Sequence, residues 1–331
     1  MTSTRDKIER RLSVAPMMDW TDRHCRFFHR LLAPSALLYT EMVTTGAIIH
    51  GDAGRFLAFN PKERPLALQL GGSDPADLAH CARIAQQRGY DEVNLNLGCP
   101  SDRVQRGSFG ACLMLEPALV ADCVAAMLDA VDIPVTVKTR LGVDEHYSYA
   151  FISGFVHRLA EAGCKVFIVH ARKALLSGLS PKQNRDIPAL NYEWVYQLKR
   201  ESPGLDIVIN GGVDSVSAVA GHLAHVDGVM IGRSAYQNPW ILAECQQEIF
   251  GGTGTVQRED IVRQMTAYIN HQVEQGVWVK HISRHMLGLF QGLPGAKAWR
   301  RYLSENAYRD DGNTRLLDQA LAAMRDVSTG N

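Results

Sequence analysis

A cysteine in a glycine-flanked loop is the most distinctive candidate for chemistry in this sequence. Cys99 lies between Gly98 and Pro100, directly after the run EVNLNL at 92–97. A thiol in such a loop can act as a general acid that delivers a proton where negative charge develops on carbon. Cysteines inside helical patterns, such as Cys81, are more often small buried apolar residues. Cys99 is therefore the strongest single candidate for a catalytic residue.

Two glycine-containing segments predict a phosphate site. Asn210, Gly211 and Gly212 follow one β-branched run, and Gly232 and Arg233 follow the next. Glycines allow backbone N–H groups to approach phosphate oxygens, and a guanidinium offers a matching fork of donors. A tight turn is the alternative explanation for the paired glycines. The recurrence on neighbouring runs favours phosphate binding, without separating a flavin from a sugar phosphate.

Lys138 and His170 are candidates for contacts with the rest of that ligand. Both fall at positions predicted to face an interior, on consecutive strand patterns. A buried lysine is costly unless it is paired or binds an anion. A cation there would stabilise the charge that builds on N1 and O2 of a reduced flavin ring. An internal salt bridge and a satisfied core histidine are the alternatives.

The elements that position these residues alternate between strand and helix patterns. Amphipathic stretches such as 74–89 and 117–131 separate eight β-branched runs, which lie at 11–16, 36–41, 65–70, 92–97, 134–140, 165–171, 206–211 and 228–233. The alternation predicts parallel βαβ units, and eight of them fit a (β/α)8 TIM barrel. A doubly wound open sheet is the rival, but no G-x-G-x-x-G follows the first strand. Barrel active sites form where strands end, and the candidate residues fall there.

The pattern becomes purely helical after residue 250. GGTGTV at 251–256 interrupts the alternation, and four helical segments follow. We predict a TIM-barrel catalytic domain over 1–250 and a small C-terminal helical domain over 251–331.

Composition limits the function classes. Lys+Arg and Asp+Glu are both 35, so the chain does not attract nucleic acid by bulk charge. The sequence has no apolar run of membrane-spanning length and no apolar leader, which predicts no membrane partner and a cytoplasmic protein. The seven cysteines and twelve histidines are scattered without metal-ligand spacing, so we expect no metal site and no disulfide framework. Nothing indicates an obligate protein partner.

Two acid-free basic runs lie within this neutral chain. One contains Arg172, Lys173, Lys182 and Arg185, and the other contains Lys280, Arg284, Lys297, Arg300 and Arg301. A charge run is usually a solvated face, but two such runs favour contact with RNA phosphates. Trp299 and Tyr302 lie among the residues of the second run. The sequence leaves open whether their rings stack on bases or pack within the helices.

The motifs together resemble a known family. VAPMMDWTDRHCR, LNLGCPSDRVQRGSFGACLM, VTVKTRLG, VHARK, INGG and IGRSAYQNPW, in this order, resemble the tRNA-dihydrouridine synthases. LSPKQNRDIPALNYEWV and GLFQGLPGAKAWRRYLSEN are most similar to the subgroup called tRNA-dihydrouridine synthase A. The resemblance covers residues 10 to 325 and departs from the family pattern at none of the site positions.

The resemblance implies FMN in the barrel mouth, re-reduced by NADPH. Hydride would pass to C6 of a tRNA uridine, at positions 20 and 20a in the D-loop, and Cys99 would protonate C5. Asn96 and Arg140 resemble uracil-holding positions, and Lys182, Arg185, Lys297 and Arg300 are predicted tRNA contacts. The implied FMN contacts are Pro16, Met17, Met18, Gln69, Lys138, His170, Asn210, Gly211, Gly212, Gly232 and Arg233.

Three other functions are weighed against this one. An FMN barrel acting on a free pyrimidine, like the dihydroorotate dehydrogenases, leaves the helical domain and its basic run unexplained. A barrel that binds RNA without catalysis would purify colourless. A sugar-phosphate enzyme without flavin is the third alternative.

Overall fold

Eight parallel strands form one sheet that closes on itself. The computed structural model describes residues 8–101, 104, 107–251, 256–308 and 315–328. The strand order is β1-β8-β7-β6-β5-β4-β3-β2, and a bridge between Ser13 and Leu37 joins β1 to β2. The strands are β1 (Leu12–Val14), β2 (Leu38–Thr44), β3 (Leu66–Gly71), β4 (Glu92–Leu97), β5 (Val135–Arg140), β6 (Val166–His170), β7 (Asp206–Asn210) and β8 (Gly228–Ile231). The predicted (β/α)8 TIM barrel is confirmed.

Helices alternate with these strands and cover the outside of the barrel. They are α1 (Arg23–Leu32), α2 (Thr45–Ile49), α3 (Ala53–Phe56), α4 (Pro75–Arg88), α5 (Pro117–Ala130), α6 (Tyr149–Glu161), α7 (Tyr192–Glu201), α8 (Val216–Leu223), α9 (Arg233–Gln237) and α10 (Trp240–Phe250). Short 3-10 turns lie at Pro61–Glu63, Gly110–Leu115, Gln183–Arg185 and Arg284–Met286. The stretch predicted at 74–89 forms α4, which begins where the Asp74 carboxylate accepts from the backbone N–H of Asp77.

The second strand lies later in the chain than the pattern 36–41 predicts, because β2 continues to Thr44. Its pairing with β3 shifts register between Tyr39 and Met42. Such an irregularity lets a strand continue past a break in the apolar alternation.

Two apolar layers stabilise the barrel. The larger lies between the strands and the surrounding helices and continues into the C-terminal helices. The smaller fills part of the barrel interior and contains Ala15, Leu37, Tyr39, Ala67, Val166, Ile168, Val208 and Met230. Side chains alternate between these layers along each strand, as the two-residue period of a strand requires.

The C-terminal segment contains four helices, of which the first two pack against the first barrel helix. They are α11 (Arg258–Glu274), α12 (Val279–Ser283), α13 (Ala296–Asn306) and α14 (Leu316–Ser328). The Tyr268 ring stacks on Phe27 at 3.9 Å between centroids, and Arg284 donates to the Asp22 carboxylate at 2.7 Å. The division into 1–250 and 251–331 stays a prediction.

Within the described part of the chain, no helix is long and apolar enough to cross a membrane.

Candidate active site

Polar side chains converge where the strands end. Asn96 lies opposite Lys138 in the register of β4 and β5, and His170 lies opposite Asn210 in the register of β6 and β7. The Lys138 ammonium donates to Asn210 Oδ1 at 3.0 Å. Asn210 Nδ2 in turn donates to the backbone carbonyl of Met230 at 2.8 Å. Among the described residues, Lys138 therefore has a neutral amide partner and not the internal salt bridge that was the alternative to ligand binding.

The charge state of this group depends on burial. Burial and repulsion from Arg140 lower the pKa of Lys138 to about 7, against an opposing attraction to Cys99. Burial, followed by the charges of Arg140 and Lys138, lowers the pKa of His170 well below its usual range. His170 is therefore a neutral imidazole at physiological pH, whereas Lys138 titrates close to neutral pH, and an anionic ligand would favour its charged form.

Asn96 fastens the loop that carries Cys99. Asn96 Oδ1 accepts from the backbone N–H of Gly98 at 3.1 Å and of Cys99 at 3.0 Å. The Cys99 thiol is partly exposed and donates to Ser101 Oγ at 3.5 Å. The thiol is thus held at the end of β4 with access to solvent, as a proton donor to a bound substrate needs.

Arg140 joins the Cys99 loop to the loop after β6. Its guanidinium donates to the backbone carbonyl of Gly98 at 2.9 Å and to those of Lys173 and Asn184 at 3.0 Å each. Burial, opposed by attraction to Cys99, lowers the pKa of Arg140 to about 10, so it stays charged at neutral pH. Arg140 is 3% exposed in this structure, so only a small part of its side chain is accessible for the predicted contact with uracil.

The glycines after β7 and β8 differ in backbone conformation and in the space around them. Gly211 and Gly212 have φ of 114° and 72°, a region that favours glycine, and a Cβ on Gly211 would lie 2.7 Å from the His170 ring. A Cβ built on Gly232 meets nothing within 4 Å. The backbone at Gly232 therefore borders open space, which suits the predicted phosphate. Arg233, next to it, forms a salt bridge of 2.6 Å with Asp186.

The remaining predicted FMN contacts lie at two strand ends. Pro16 and Met17 are partly buried after β1, and Met18 is 55% exposed. The Met17 backbone N–H donates to Thr21 Oγ1 at 2.9 Å. Gln69 is buried on β3 and accepts at Oε1 from Asn96 Nδ2 at 2.8 Å, which places it directly beside the Cys99 loop.

The first basic run occupies the loop after β6. Lys182 and Arg185 are exposed there. Arg172 donates to the backbone carbonyls of Asp186 and Pro188, and Lys173 lies 5.6 Å from the centroid of the Tyr147 ring. Two of the four cations thus hold the loop together, while the other two face solvent.

In the second basic run, some cations lie on the surface of α13 and another binds to the barrel. Lys297 is exposed on α13, and Arg300 donates to Gln291 Oε1 at 2.8 Å. Arg284, in contrast, is committed to Asp22 of the barrel. Trp299 is fully buried and donates to the Met286 carbonyl at 3.0 Å, so it packs within the helices and does not stack on a base.

Two residues that support the loops around this site are not predicted from the sequence. Asn184 is fully buried, and its amide both accepts from and donates to the Leu175 backbone at 2.8 Å. Tyr192 donates to the Gly211 carbonyl at 2.8 Å. Neither lies on a strand, so no periodicity marks them in the sequence.

Across the residues that the structure describes, no group of three or more His, Cys, Asp or Glu side chains could hold a metal ion.

Comparison with known proteins decides the family. The model of the family described as dihydrouridine synthase (Dus) matches residues 13–325. The chain belongs to the dihydrouridine synthase family. The family predicted from the motifs, and with it the oxidoreductase class, is confirmed.

Curated relatives of this family match almost end to end. The chain is 62% identical over 316 residues to a tRNA-dihydrouridine(20/20a) synthase of Vibrio cholerae, covering 95% of this chain and 96% of the relative. It is 60% identical over 318 residues to the protein of the same name in Escherichia coli K12, covering 96% and 92%. Morphinone reductase is similar in structure, with a TM-score of 0.51, 14% identity and coverage of 72% of this chain and 86% of that one. That likeness bears on the barrel fold alone.

Proposed function

We propose that this protein reduces uridine in tRNA to 5,6-dihydrouridine, with FMN as cofactor and NADPH as reductant. The observation that carries the proposal is the fastened, partly exposed Cys99 thiol beside Lys138 and Arg140 at the mouth of a dihydrouridine synthase barrel. The relatives' names supply tRNA and the positions 20 and 20a, and the family resemblance implies that these uridines lie in the D-loop.

The residues present fit FMN. Lys138 has no acidic partner among the described residues and is held by Asn210, which suits the electron-rich edge of an isoalloxazine ring. The open space at Gly232, beside Arg233, suits a phosphate. Pro16, Met17 and Gln69 would contact the ring, while Gly211 and Gly212 would border the phosphate. Bound there in its reduced form, FMN supplies the hydride that adds to C6 of uracil.

The chain's own residues would complete the reduction. Asn96 and Arg140 position the uracil and the loop, and Cys99 transfers its proton to C5 as the C5–C6 double bond is lost. The thiolate that remains is stabilised by Lys138, Arg140 and Arg185, each of which interacts electrostatically with Cys99. Solvent then returns the proton, so that one NADPH and one proton are consumed for each dihydrouridine formed.

The substrate must leave its stack to reach this pocket. Unstacking costs least in loops, where RNA bases are already exposed. The exposed cations Lys182 and Arg185 near the mouth, with Lys297 and Arg300 on the helical segment, would contact tRNA phosphates. The cytoplasm, where tRNA and NADPH are both present, is the proposed location.

Mapping dihydrouridine at nucleotide resolution in tRNA from cells lacking this protein tests the function directly. We expect loss confined to the D-loop positions, restored by the wild-type gene. An unchanged dihydrouridine map would contradict the proposal. A colourless protein that binds tRNA would support the RNA-binding alternative, and reduction of free orotate without tRNA would support the free-pyrimidine alternative.

A valine in place of Gly232 tests the phosphate site. A Cβ there meets only open space, but the backbone ψ of −116° is one that valine rarely adopts, so the melting temperature of Gly232→Val is measured first. In the folded variant, we expect the valine side chain to occupy the phosphate position. Flavin retained through purification should fall roughly tenfold, the effect of losing about 1.4 kcal/mol of binding. Gly221→Val is the matched control, since a Cβ at Gly221 also meets nothing within 4 Å but lies on α8. Full flavin content in the Gly232 variant would place the phosphate elsewhere.

Charge reversal on α13 tests the RNA surface. Lys297→Glu with Arg300→Glu should raise the apparent KM for tRNA and reduce the salt dependence of binding by roughly two phosphate contacts. NADPH-driven flavin reduction should be unaffected. Arg83→Glu with Lys165→Glu changes net charge equally at two exposed positions outside α13 and serves as the control. Equal tRNA affinity in the two double variants would exclude α13 as a specific contact surface.

A further inference from the structure

A column of buried polar side chains runs down one side of the barrel interior. It is formed by residues of β3, β4 and β5 that are at most 9% exposed: Gln69, Glu92, Asn94, Asn96 and Thr136. The opposite side, on β6 to β8, is filled by apolar residues that include Val166, Ile168, Val208 and Met230. Since apolar side chains fill the interior there, the polar column is not a requirement of packing.

The column is one continuous chain of hydrogen bonds. Starting below the active site, Asn96 Nδ2 donates to Gln69 Oε1 at 2.8 Å, and Gln69 Nε2 donates to Asn94 Oδ1 at 2.8 Å. Asn94 Nδ2 donates to Thr136 Oγ1 at 2.9 Å. The Thr136 hydroxyl donates to Glu92 Oε1 at 2.6 Å. Five side chains therefore connect the Cys99 loop to the depth of the barrel.

The direction of these bonds is fixed from both ends. At the top, the backbone N–H groups of Gly98 and Cys99 can only donate, so Asn96 must present its oxygen to them. At the bottom, the Glu92 carboxylate, paired with Arg10, can only accept. The amides between them have one arrangement that satisfies every bond. Reversing any amide would set donor against donor or acceptor against acceptor.

Glu92 is held in this accepting role by its other neighbours. Arg10 donates to Oε2, and Tyr39 donates to Oε1 at 2.8 Å. Burial, and then the charge of Glu92, raise the pKa of Tyr39 well above its usual value. The phenol therefore stays protonated and donates across the pH range in which the protein works.

We propose that Thr136, Asn94 and the Glu92–Arg10 pair are positioning residues, which set the amide orientation of Gln69 and Asn96 and thereby hold the Cys99 loop. They touch neither substrate nor cofactor, and they act through the hydrogen-bond chain. The role in catalysis rests on the proposed uridine reduction, whereas the mechanical link from Thr136 to Cys99 does not.

Two variants of Thr136 separate the hydroxyl from the packing. Thr136→Val keeps the branched shape and loses the hydroxyl, while Thr136→Ser keeps the hydroxyl and loses a methyl group. If the residue only packed, serine would be the more damaging change, because it leaves a cavity in a fully buried site. If it positions the chain, valine is the more damaging change for the Cys99 loop.

The first measurement is alkylation of Cys99 by iodoacetamide in flavin-free protein, followed on the Cys99 peptide by mass spectrometry. We expect Thr136→Val to raise the rate roughly two- to tenfold, the effect of losing one hydrogen bond that holds the loop. Thr136→Ser should match the wild type. Equal rates in wild type and Thr136→Val, or a faster rate in Thr136→Ser alone, would overturn the proposal.

The second measurement is the single-turnover rate of uridine reduction by prereduced enzyme. Thr136→Val should lower it roughly 10- to 100-fold through misplacement of the reacting groups, with NADPH-driven flavin reduction and the KM for tRNA unchanged. Wild-type rates in Thr136→Val would remove the catalytic role. If the wild type itself reduced no uridine, the proposed function would fail, and the alkylation rates would still decide the mechanical link.

Glu92→Gln tests the other end of the chain. Arg10 can only donate, so the replacement amide should keep its oxygen towards Arg10 and turn its NH2 group towards Thr136, whose hydroxyl then loses its acceptor. Loss of this fixed end should raise the Cys99 alkylation rate about as much as Thr136→Val does. A folded Glu92→Gln protein with wild-type alkylation would contradict the inference independently of Thr136.

Discussion

Replacing Cys99 with alanine should abolish most uridine reduction while leaving bound flavin and its reduction by NADPH intact. The loss of a positioned general acid is expected to lower the rate of dihydrouridine formation by about 10²- to 10⁴-fold. The flavin contacts are spared because, among the described residues, the thiol donates only to Ser101, while the loop is held through its backbone by Asn96. Single-turnover oxidation of prereduced enzyme by tRNA measures the step.

Cys112 provides the matched control for that substitution. It is the other partly exposed cysteine of the described residues, and burial raises the pKa of its thiol. Cys112→Ala should reduce uridine at the wild-type rate. Wild-type turnover in Cys99→Ala would show that another group delivers the proton.

Replacing Lys138 with methionine should weaken FMN binding by roughly 30-fold, from the loss of about 2 kcal/mol in a charge-assisted contact. Methionine keeps much of the length and apolar character of the lysine stem, so the barrel interior should stay filled. The measurement is titration of flavin-free protein with FMN, followed by quenching of flavin fluorescence. An unchanged Kd would mean that Lys138 does not face the ring.

The low pKa of Lys138 adds a pH dependence with a definite sign. Its usual value is 10.5, and in the folded protein it is about 7. Between these values the unfolded chain holds a proton that the folded chain lacks, so this group makes flavin-free protein more stable as the pH rises from 7 towards 10.5. Lys138→Met should therefore raise the melting temperature more at pH 6.5 than at pH 9. An equal difference at both pH values would contradict the lowered pKa.

The sequence predicts the barrel well because its pattern is local. Each strand of a parallel barrel is a short β-branched run, and each crossover contains an amphipathic helix, so alternation along the chain reports the architecture. Because the active sites of such barrels form where the strands end, the sequence also predicts that Asn96, Lys138 and Asn210 lie close together. The structure places Asn96 and Lys138 opposite each other on adjacent strands, and Lys138 donates to Asn210 two strands further on.

The contacts that the sequence does not predict join residues that are far apart in the chain. Nothing in the pattern pairs Asp22 with Arg284, 262 residues away, or Arg233 with Asp186. The burial of Trp299 follows from which face of α13 meets its neighbours. The polar column was visible in part, since Glu92, Asn94 and Asn96 alternate along EVNLNL, but only the packed strands show that Thr136 and Gln69 link them.

The bridge between Ser13 and Leu37 has a consequence for where the barrel opens. β1 has three residues, and the described contacts that join it to the start of β2 are two backbone bonds of 3.0 Å, from Val14 to Leu37 and from Leu37 to Leu12. Stability within a protein is uneven, and segments with few bonds exchange their amide hydrogens first. This seam is the edge from which local unfolding should start. Pro16 and Met17 follow directly after β1, so the part of the pocket that they line can open locally while the β3–β5 side stays rigid. This division would let a bulky ring enter on one side and keep the proposed proton donor fixed on the other.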